Sequence, residues 1–129
     1  MLLAAIHRMT QYRQALGKHG ENIAARELQR RGYAILARRY RTRYGEIDIV
    51  ARDGETIVIV EVKARASSEF GTAAEAVTPS KQRRMTSMAM EFLVRKRLTN
   101  RPCRFDVVAI DGPPGGERVS VYRCAFSLA

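Results

Sequence analysis

The stretch Gly45-Glu46-Ile47-Asp48-Ile49-Val50, read together with Val60-Glu61-Val62-Lys63, decides the fold of this chain. Both segments are rich in β-branched residues, which predicts two strands of a sheet that is at least half buried. Yet Asp48, Glu61 and Lys63 stand where a plain core strand would carry apolar side chains. Charged groups in buried strands are costly unless they are paired or bind a metal. Two carboxylates and a lysine on rigid strands are therefore candidates to hold a divalent cation beside a water molecule.

The Asp53-Gly54 pair between these segments is typical of a hairpin turn. Strict alternation in the second strand of the chain, predicted over 46–52, divides its side chains into two faces. Glu46, Asp48 and Val50 would share one face, and Ile47, Ile49 and Ala51 the other. An antiparallel hairpin lets Asp48 approach Glu61, which shares a face with Lys63. The alternative is a set of cross-strand salt bridges in which Lys63 neutralises an acid.

The chain has 129 residues, of which 46% are hydrophobic, with a net charge of +10. This length suits one domain whose core needs no disulfide or structural metal. We expect a tail or short helical extension at 1–10 and a single domain at 11–129. Ten basic and two acidic residues precede residue 44, so +8 of the charge lies in the first third. Such a surface favours polyanions, of which nucleic acid is the commonest, and the alternative is an edge strand guarded by charge against aggregation.

Cysteine and histidine positions argue against a zinc site. Cys103 and Cys124 have no metal-ligand spacing to each other or to His7 and His19. We interpret both cysteines as reduced core residues of a cytosolic protein. The apolar opening, residues 1–6, is too short for the core of a signal peptide or for a membrane span. The expectation is a cytoplasmic protein with no membrane contact.

The rest of the pattern predicts one helix, three strands, a second helix, and then one or two strands. The first helix is predicted at about 11–31, ending at Gly32, and the first strand at 33–40. The third strand is predicted at 56–63, followed by a loop at 64–77. Thr78 as N-cap and Pro79 at the first helical position predict a second helix that runs to about Arg97. The last strands are predicted at 103–110 and 118–126.

Both predicted helices carry further candidate residues. Glu21 leans towards the apolar side of the first helix, because it lies seven residues before Leu28. On the helix alone, a boundary glutamate paired with a neighbouring cation is the simpler interpretation. Lys81, Arg83 and Arg84 lie in the first turns of the second helix, where cations oppose the helix dipole. That placement points to phosphate binding, and a solvated basic face is the alternative.

Taken together, these motifs resemble the bacterial YraN-like proteins. That group, UPF0102, comprises predicted endonucleases of the PD-(D/E)XK nuclease superfamily, which also contains archaeal Holliday junction resolvases. The resemblance spans about residues 11–111 and rests on a combination of motifs, since an acid followed by Glu-x-Lys recurs by chance. The motifs are Gly17, Gly20-Glu21, Gly45-Glu46-Ile47-Asp48, Val60-Glu61-Val62-Lys63, Phe70-Gly71, Ala76-Val77, Pro79-Ser80-Lys81-Gln82-Arg83-Arg84 and Arg104-Phe105-Asp106-Val107-Val108. The proline of the first superfamily motif is absent, and Asp48 follows Ile47 as the family pattern Gly-Glu-Ile-Asp expects.

The resemblance implies a restriction-endonuclease-like α/β fold with an αβββαβ core, in which helices flank a central mixed sheet. It also implies a divalent cation, Mg²⁺ or Mn²⁺, bound by Asp48, Glu61 and the backbone carbonyl of Val62. Glu21 would complete the acidic cluster, directly or through water. Lys63 would orient or activate the attacking water and stabilise charge on the phosphate. The implied reaction is hydrolysis of phosphodiester bonds in DNA, and the likeness to resolvases adds an expected preference for branched DNA.

The resemblance also bears on the basic residues and on competing functions. Lys81 and Arg84 become candidates to grip phosphate, and Arg41 and Arg43 belong to the basic first third that is expected to contact DNA. A homodimer stays open, because resolvases of the superfamily act as dimers, although no dimer stripe is evident here. The competing interpretation is a non-catalytic nucleic-acid-binding module of the same fold. The basic surface supports both functions equally, whereas the intact acidic residues and lysine favour the nuclease.

Overall fold

The computed structural model describes residues 17–65 and 78–127 of the chain. The order of elements confirms the predicted α/β class and its αβββαβ core, with a fifth strand added at the end. The elements are α1 (residues 17–30), β1 (Ala34–Thr42), β2 (Gly45–Asp53), β3 (Thr56–Arg65), α2 (Pro79–Arg95), β4 (Cys103–Asp111) and β5 (Arg118–Ser127). The predicted tail at 1–10, the start of the predicted first helix and the motif residues 70–71 and 76–77 lie outside the described residues.

The five strands form one mixed sheet in the order β1-β2-β3-β4-β5. Neighbouring strands are antiparallel except for β3 and β4, which are parallel. A parallel pair needs a crossover connection, and α2 lies in that connection. The centre of the sheet is therefore β3 and β4, whose residues 57–60 and 104–110 are buried. Charged side chains on these two strands are held in a fixed and largely dry setting.

Each helix covers one face of the sheet, which gives two apolar layers. The α1 layer joins Ala24 and Leu28 to one set of sheet residues, and the α2 layer joins Met85, Met88 and Phe92 to the other. The sheet residues under α1 include Ile49, Ala51, Val58, Val60, Val108 and Ile110. Those under α2 include Ile47, Val50, Ile57, Ile59, Phe105 and Val107. Met85 and Met88 of α2 are thus packing residues.

The predicted end of α1 and the predicted start of α2 are confirmed. The hydroxyl of Thr78 accepts a hydrogen bond from the backbone N of Lys81 at 3.2 Å and caps the start of α2. After α1, Gly32 adopts a φ of +92°, and the backbone N of Tyr33 donates to the carbonyl of Leu28 at 3.0 Å. Glycine suits this left-handed position because it has no Cβ. These caps fix where the chain enters and leaves the sheet.

The predicted strict alternation along β2 is wrong at Asp48. Ile47 packs in the α2 layer and Ile49 in the α1 layer, although two residues that far apart should share a face. Arg39 lies across from Asp48 on β1, between the register pairs that flank both residues, and has a left-handed φ of +51°. Because both strands depart from alternation at the same place, the β1–β2 register is unchanged on either side. Because of this irregularity the side chain of Ile47 faces α2, and Asp48 lies between a residue of the α2 layer and a residue of the α1 layer.

Gly20 lets α1 approach β3 closely, and Gly20→Val is expected to destabilise the protein. A Cβ added at Gly20 would lie 3.1 Å from the Cβ of Ala64, which is tighter than nearly all real contacts of this kind. The Cβ of Ala64 is fixed to the strand backbone, so a branched side chain would push α1 outwards and move Glu21 with it. We expect the free energy of unfolding, measured by urea denaturation, to fall by about 1–3 kcal/mol.

Gly17→Val is the matched control for this substitution. Among the described residues, no atom lies within 4 Å of a Cβ added at Gly17. Both variants replace glycine by valine in the same helix, so the slightly better helix propensity of valine contributes to both. We expect Gly17→Val to change the free energy of unfolding by at most about 0.5–1 kcal/mol. Equal losses in the two variants would show that contact with β3 does not set the cost.

Cys103, at the start of β4, is a free thiol with partial burial. Burial raises the pKa of this thiol to about 11, so it is protonated and unreactive at neutral pH. The side chain of Cys124 lies outside what the structure describes. Within residues 17–65 and 78–127, no helix combines the length and the apolar character that crossing a membrane requires.

Candidate active site

Asp48 lies where β2 separates from β3. The antiparallel ladder between these strands ends at the pair Ile49 and Val60. Beyond that pair, the Oδ2 atom of Asp48 accepts a hydrogen bond from the backbone N of Val62 at 2.8 Å. Burial, and then the negative charge of Glu61, raise the pKa of Asp48 from 3.8 to about 7. A carboxylate in this position gains free energy from any cation that neutralises it.

Glu61 and Lys63 project from β3 on the face that α2 covers. The Nζ of Lys63 lies 3.4 Å from Oε1 of Glu61, and Nζ of Lys81 on α2 lies 2.7 Å from the same oxygen. All three side chains are at least 70% buried. Burial, and then the neighbouring Lys81, lower the pKa of Lys63. A lysine with a lowered pKa loses its proton more readily and can act as a base towards water.

Glu21 reaches the same end of the sheet from α1. It is 8% exposed, and its Oε2 accepts a hydrogen bond from Nε of Arg39 at 2.6 Å. The hydrogen bond with Glu21 is the main cause of the raised pKa of Arg39, and Glu46 and Asp48 add to it. The neighbouring Arg38 also contacts α1, through Asn22 at 2.6 Å. Successive strand residues normally face opposite sides, so the left-handed φ of Arg39 is what lets both arginines reach one helix.

The available donor atoms fit an ion such as Mg²⁺. In the described part of the chain, no three carboxylate, imidazole or thiol side chains lie close enough together to hold a metal ion. Mg²⁺ does not need three, because it typically binds one or two carboxylates and keeps water or phosphate oxygens as its other ligands. Asp48 and Glu61 are near enough to interact electrostatically, and Val62 carries the neighbouring backbone carbonyl. Glu21 is engaged by Arg39, so a contact through water suits it better than direct ligation.

The predicted phosphate-binding residues divide into two groups. Lys81 lies inside the acidic site, with its side chain 17% exposed against Glu61. Arg84 is exposed on α2, Arg41 is 87% exposed, and Arg43 is 76% exposed while it contacts Glu91 at 3.2 Å. The three arginines have the exposure that contact with DNA requires, and their role as DNA ligands stays a prediction. Lys81 has a different setting from the other three, which the sequence did not reveal.

A second charged cluster, which the sequence analysis did not assign, lies on the α1 side near the β2–β3 turn. Arg104 donates from Nη2 to the hydroxyl of Tyr33 at 2.6 Å and to Oδ2 of Asp53 at 2.9 Å. Its Nε donates to Oδ1 of Asp106 at 3.1 Å. Asp106 is fully buried, and Arg123 contacts Asp53 from the surface. The signal was the pair of charges in the apolar run Arg104-Phe105-Asp106-Val107-Val108, which strand alternation places on one face.

The fold defines a class: an α/β protein with a restriction-endonuclease-like core. The sequence profile described as "Uncharacterised protein family UPF0102" matches residues 20–110. A UPF0102 protein of Syntrophus aciditrophicus is 49% identical over 96% of this chain and 97% of its own length. UPF0102 proteins of Symbiobacterium thermophilum and Geobacter sulfurreducens are 46% and 44% identical, over 86% and 92% of this chain and 95% and 93% of theirs. The chain belongs to the UPF0102 family.

Proposed function

We propose that this protein is a divalent-metal-dependent endonuclease that hydrolyses phosphodiester bonds in DNA. The observation that carries the proposal is the setting of Asp48. Its carboxylate is anchored on the backbone of β3, is mostly buried beside Glu61, and has a pKa raised to about 7. A buried pair of acids gives little stability to a fold, so the presence of Asp48 and Glu61 in a strongly basic protein favours a functional role. Mg²⁺ or Mn²⁺ would satisfy both carboxylates.

Each residue of the site has a distinct task in this proposal. Asp48, Glu61 and the carbonyl of Val62 would hold the cation, which when bound would activate the attacking water and neutralise charge on the scissile phosphate. Lys63, with its lowered pKa, orients that water and accepts its proton. Glu21 and Arg39 form a pair at the rim of the site. Glu21 would act through water, and Arg39 would turn towards the incoming phosphate, for which a guanidinium is well suited.

The charge distribution supports DNA as the substrate. The net charge of +10 is concentrated in the first third, whose arginines on β1 and in the following turn are exposed. Such cations release counterions from a polyanion and hold it next to the acidic site. A preference for branched DNA belongs to this proposal as its finer part and rests on the likeness to resolvases.

The ion pairs of Glu61 favour the competing function, a nucleic-acid-binding module that does not cut DNA. Lys63 and Lys81 both pair with Glu61, so that carboxylate already has two cationic partners without a metal. In a nuclease, cation binding must loosen at least one of these pairs, and Lys81 would then be free to contact phosphate. In a binding module the pairs would persist when DNA binds. Cleavage by variants of Lys63 separates the two functions.

Lys63→Ala is expected to reduce metal-dependent cleavage at least a hundredfold, because it removes the group that handles the proton of water. DNA binding should change little, since only one partly buried cation is lost among many exposed ones. The assay compares linear, flapped and four-way-junction DNA in Mg²⁺ or Mn²⁺, and binding is measured on the same DNAs in EDTA. Wild-type protein that binds these DNAs but never cuts them would support the binding module.

Lys63→Arg is the matched control, because it keeps the charge but carries a guanidinium that does not give up its proton. If Lys63 acts on the proton of water, the arginine variant should bind like wild type and remain poorly active. If Lys63 only stabilises charge, arginine should restore most of the cleavage. Loss of binding and cleavage together in both variants would count against a catalytic role for Lys63.

A further inference from the structure

The turn between β1 and β2 and the outer face of α2 enclose an open groove of about 480 Å³. Its apolar surface comes from Tyr44, Met90 and Val94, which are 48%, 44% and 61% exposed. Arg43 and Arg95 border it, and both are exposed. Exposed apolar side chains that cluster in one place mark contact surfaces more often than isolated ones do. The groove lies outside the acidic site formed by Asp48 and Glu61.

The turn that presents Tyr44 is held rigidly. The hydroxyl of Thr42 donates to the carbonyl of Gly45 at 2.7 Å and accepts from the backbone N of Tyr44 at 3.1 Å. Glu91 of α2 accepts from the backbone N of Arg43 at 3.3 Å and from its Nε at 3.2 Å. The backbone that carries Tyr44 is therefore held in place before any ligand arrives, which lowers the entropy cost of binding.

The chemistry of the groove matches an unpaired nucleotide. A flat aromatic ring can stack on any base, and the guanidinium of Arg43 lies over the Tyr44 ring, 5.9 Å from its centroid, so it adds a cation to this stacking site. Arg95 has no carboxylate partner among the described residues and can contact the phosphate of the same nucleotide. In a duplex the bases are paired and stacked on each other, so they have no free face to pack on the apolar side chains of the groove. A second copy of this chain fits less well, because a symmetric contact would bring the arginines of both copies together.

The groove also lies at a suitable distance from the acidic site. The helix α2 begins next to that site, where Lys81 contacts Glu61, and Met90 lies nine residues further along the same helix. At the rise of an α-helix this is about 14 Å, or about four steps of a DNA strand at B-form spacing. A strand whose phosphate is at the acidic site can therefore reach the groove with a nucleotide a few positions away.

We propose that this groove binds an unpaired nucleotide of the DNA substrate, with its base stacked on Tyr44, a few nucleotides from the phosphate at the acidic site. The inference rests on the proposed nuclease function and narrows its substrate to DNA with a single-stranded segment next to the cut. The basic residues of β1 would hold the adjoining phosphates in the same orientation, whatever the base sequence.

The test measures binding in EDTA, without cleavage, of a blunt DNA duplex and of the same duplex with short single-stranded tails. Wild-type protein should prefer the tailed DNA, and Tyr44→Ala should weaken binding of tailed DNA at least about fivefold while binding blunt DNA normally. Tyr44→Phe should keep the preference, because a phenyl ring still stacks. Leu36→Ala is the matched control: Leu36 is 42% exposed near the other end of β1, and its loss should change neither affinity.

Three results would overturn the inference. These are an unchanged preference in Tyr44→Ala, an equal loss of affinity for both DNAs, and a wild-type dimer that Tyr44→Ala converts to monomers. The last result would assign the groove to a second copy of the chain. Cleavage of the same DNAs in Mn²⁺ keeps the two proposals apart. A preference for tailed DNA without cleavage would contradict only the proposed nuclease function. Cleavage with no loss of that preference in Tyr44→Ala would contradict only the proposed role of the groove.

Discussion

Asp48→Asn should abolish metal binding and cleavage and at the same time stabilise the metal-free protein. Asparagine keeps an oxygen that can accept the hydrogen bond from the backbone N of Val62, so the local geometry of β2 and β3 should survive. It removes the negative charge that a divalent cation needs, and the neutral amide is a far weaker ligand. We expect cleavage to fall at least about a thousandfold and the Mn²⁺ affinity, measured by calorimetry, to fall in parallel.

The gain in stability follows from the raised pKa of Asp48. A folded-state value of about 7 against the ordinary 3.8 means that folding favours the protonated carboxyl. This carboxyl therefore destabilises the folded protein progressively as the pH rises from about 4 to about 7, and fully above 7. A shift of this size corresponds to at most about 4 kcal/mol, and since the site is not fully dry we expect Asp48→Asn to gain about 2 kcal/mol at pH 8.5.

The measurement is urea denaturation of both proteins in EDTA at pH 8.5 and near pH 4. The difference between variant and wild type should be large at the higher pH and below about 1 kcal/mol at the lower one, where Asp48 is protonated in the folded protein and roughly half protonated in the unfolded chain. Glu46→Gln is the matched control, because it removes a carboxylate of the same strand that is 41% exposed. If Asp48→Asn is no more stable than wild type at pH 8.5, the ionised carboxylate of Asp48 does not destabilise the folded protein, and the main support for a metal site is lost.

The order of the elements was predictable because each one carries a local signal. Thr78 and Pro79 mark the start of α2, and Gly32 marks the end of α1. The Asp53-Gly54 turn sets the β2–β3 hairpin, and β-branched runs mark the central strands. Because local signals set these ends, the ends that lie in the described residues were predictable to within one or two residues.

The paired irregularity at Arg39 and Asp48 was not predictable, because it depends on two strands at once. A left-handed arginine has no sequence signature, since the conformation is unfavourable for any side chain with a Cβ and is kept only by its surroundings. Here the surroundings are the carboxylate of Glu21 and the transfer of Ile47 to the α2 layer. Strained backbone of this kind gathers at functional sites, which is consistent with the proposed role of Asp48.

The position of Lys81 was missed for a related reason. In the sequence Lys81 belongs to a basic cluster with Arg83 and Arg84, and their shared positive charge does not distinguish one from another. Helical geometry separates them, because Lys81 faces the sheet and reaches Glu61 while the two arginines stay exposed. Only the crossover between β3 and β4 brings the start of α2 next to Glu61, and that contact between distant parts of the chain is not encoded in local charge pattern.

Asp106→Ala should cause the largest loss of stability of any single substitution in the charged cluster near the β2–β3 turn. Asp106 is fully buried and Arg104 is 9% exposed, so the substitution leaves a buried guanidinium without one of its two carboxylates. Removing one partner of a buried ion pair costs about 3–5 kcal/mol, a large share of the stability of a domain this size. Thermal and urea unfolding should both show the loss, with the folded protein still binding Mn²⁺, since the acidic site lies at the other end of β2 and β3.

Arg123→Ala is the control, because Arg123 contacts Asp53 of the same cluster but is 59% exposed. An exposed pair contributes about 0–1 kcal/mol, so this loss should be several times smaller. The double variant Arg104→Met, Asp106→Leu then separates charge from packing. If the cost of Asp106→Ala comes from the guanidinium left behind, the double variant should recover part of it, because an apolar pair of similar volume needs no partner. If the double variant is as unstable as Asp106→Ala, the hydrogen bonds from Arg104 to Tyr33 and Asp53 hold β1 and β2 to β4, and no apolar pair can replace them.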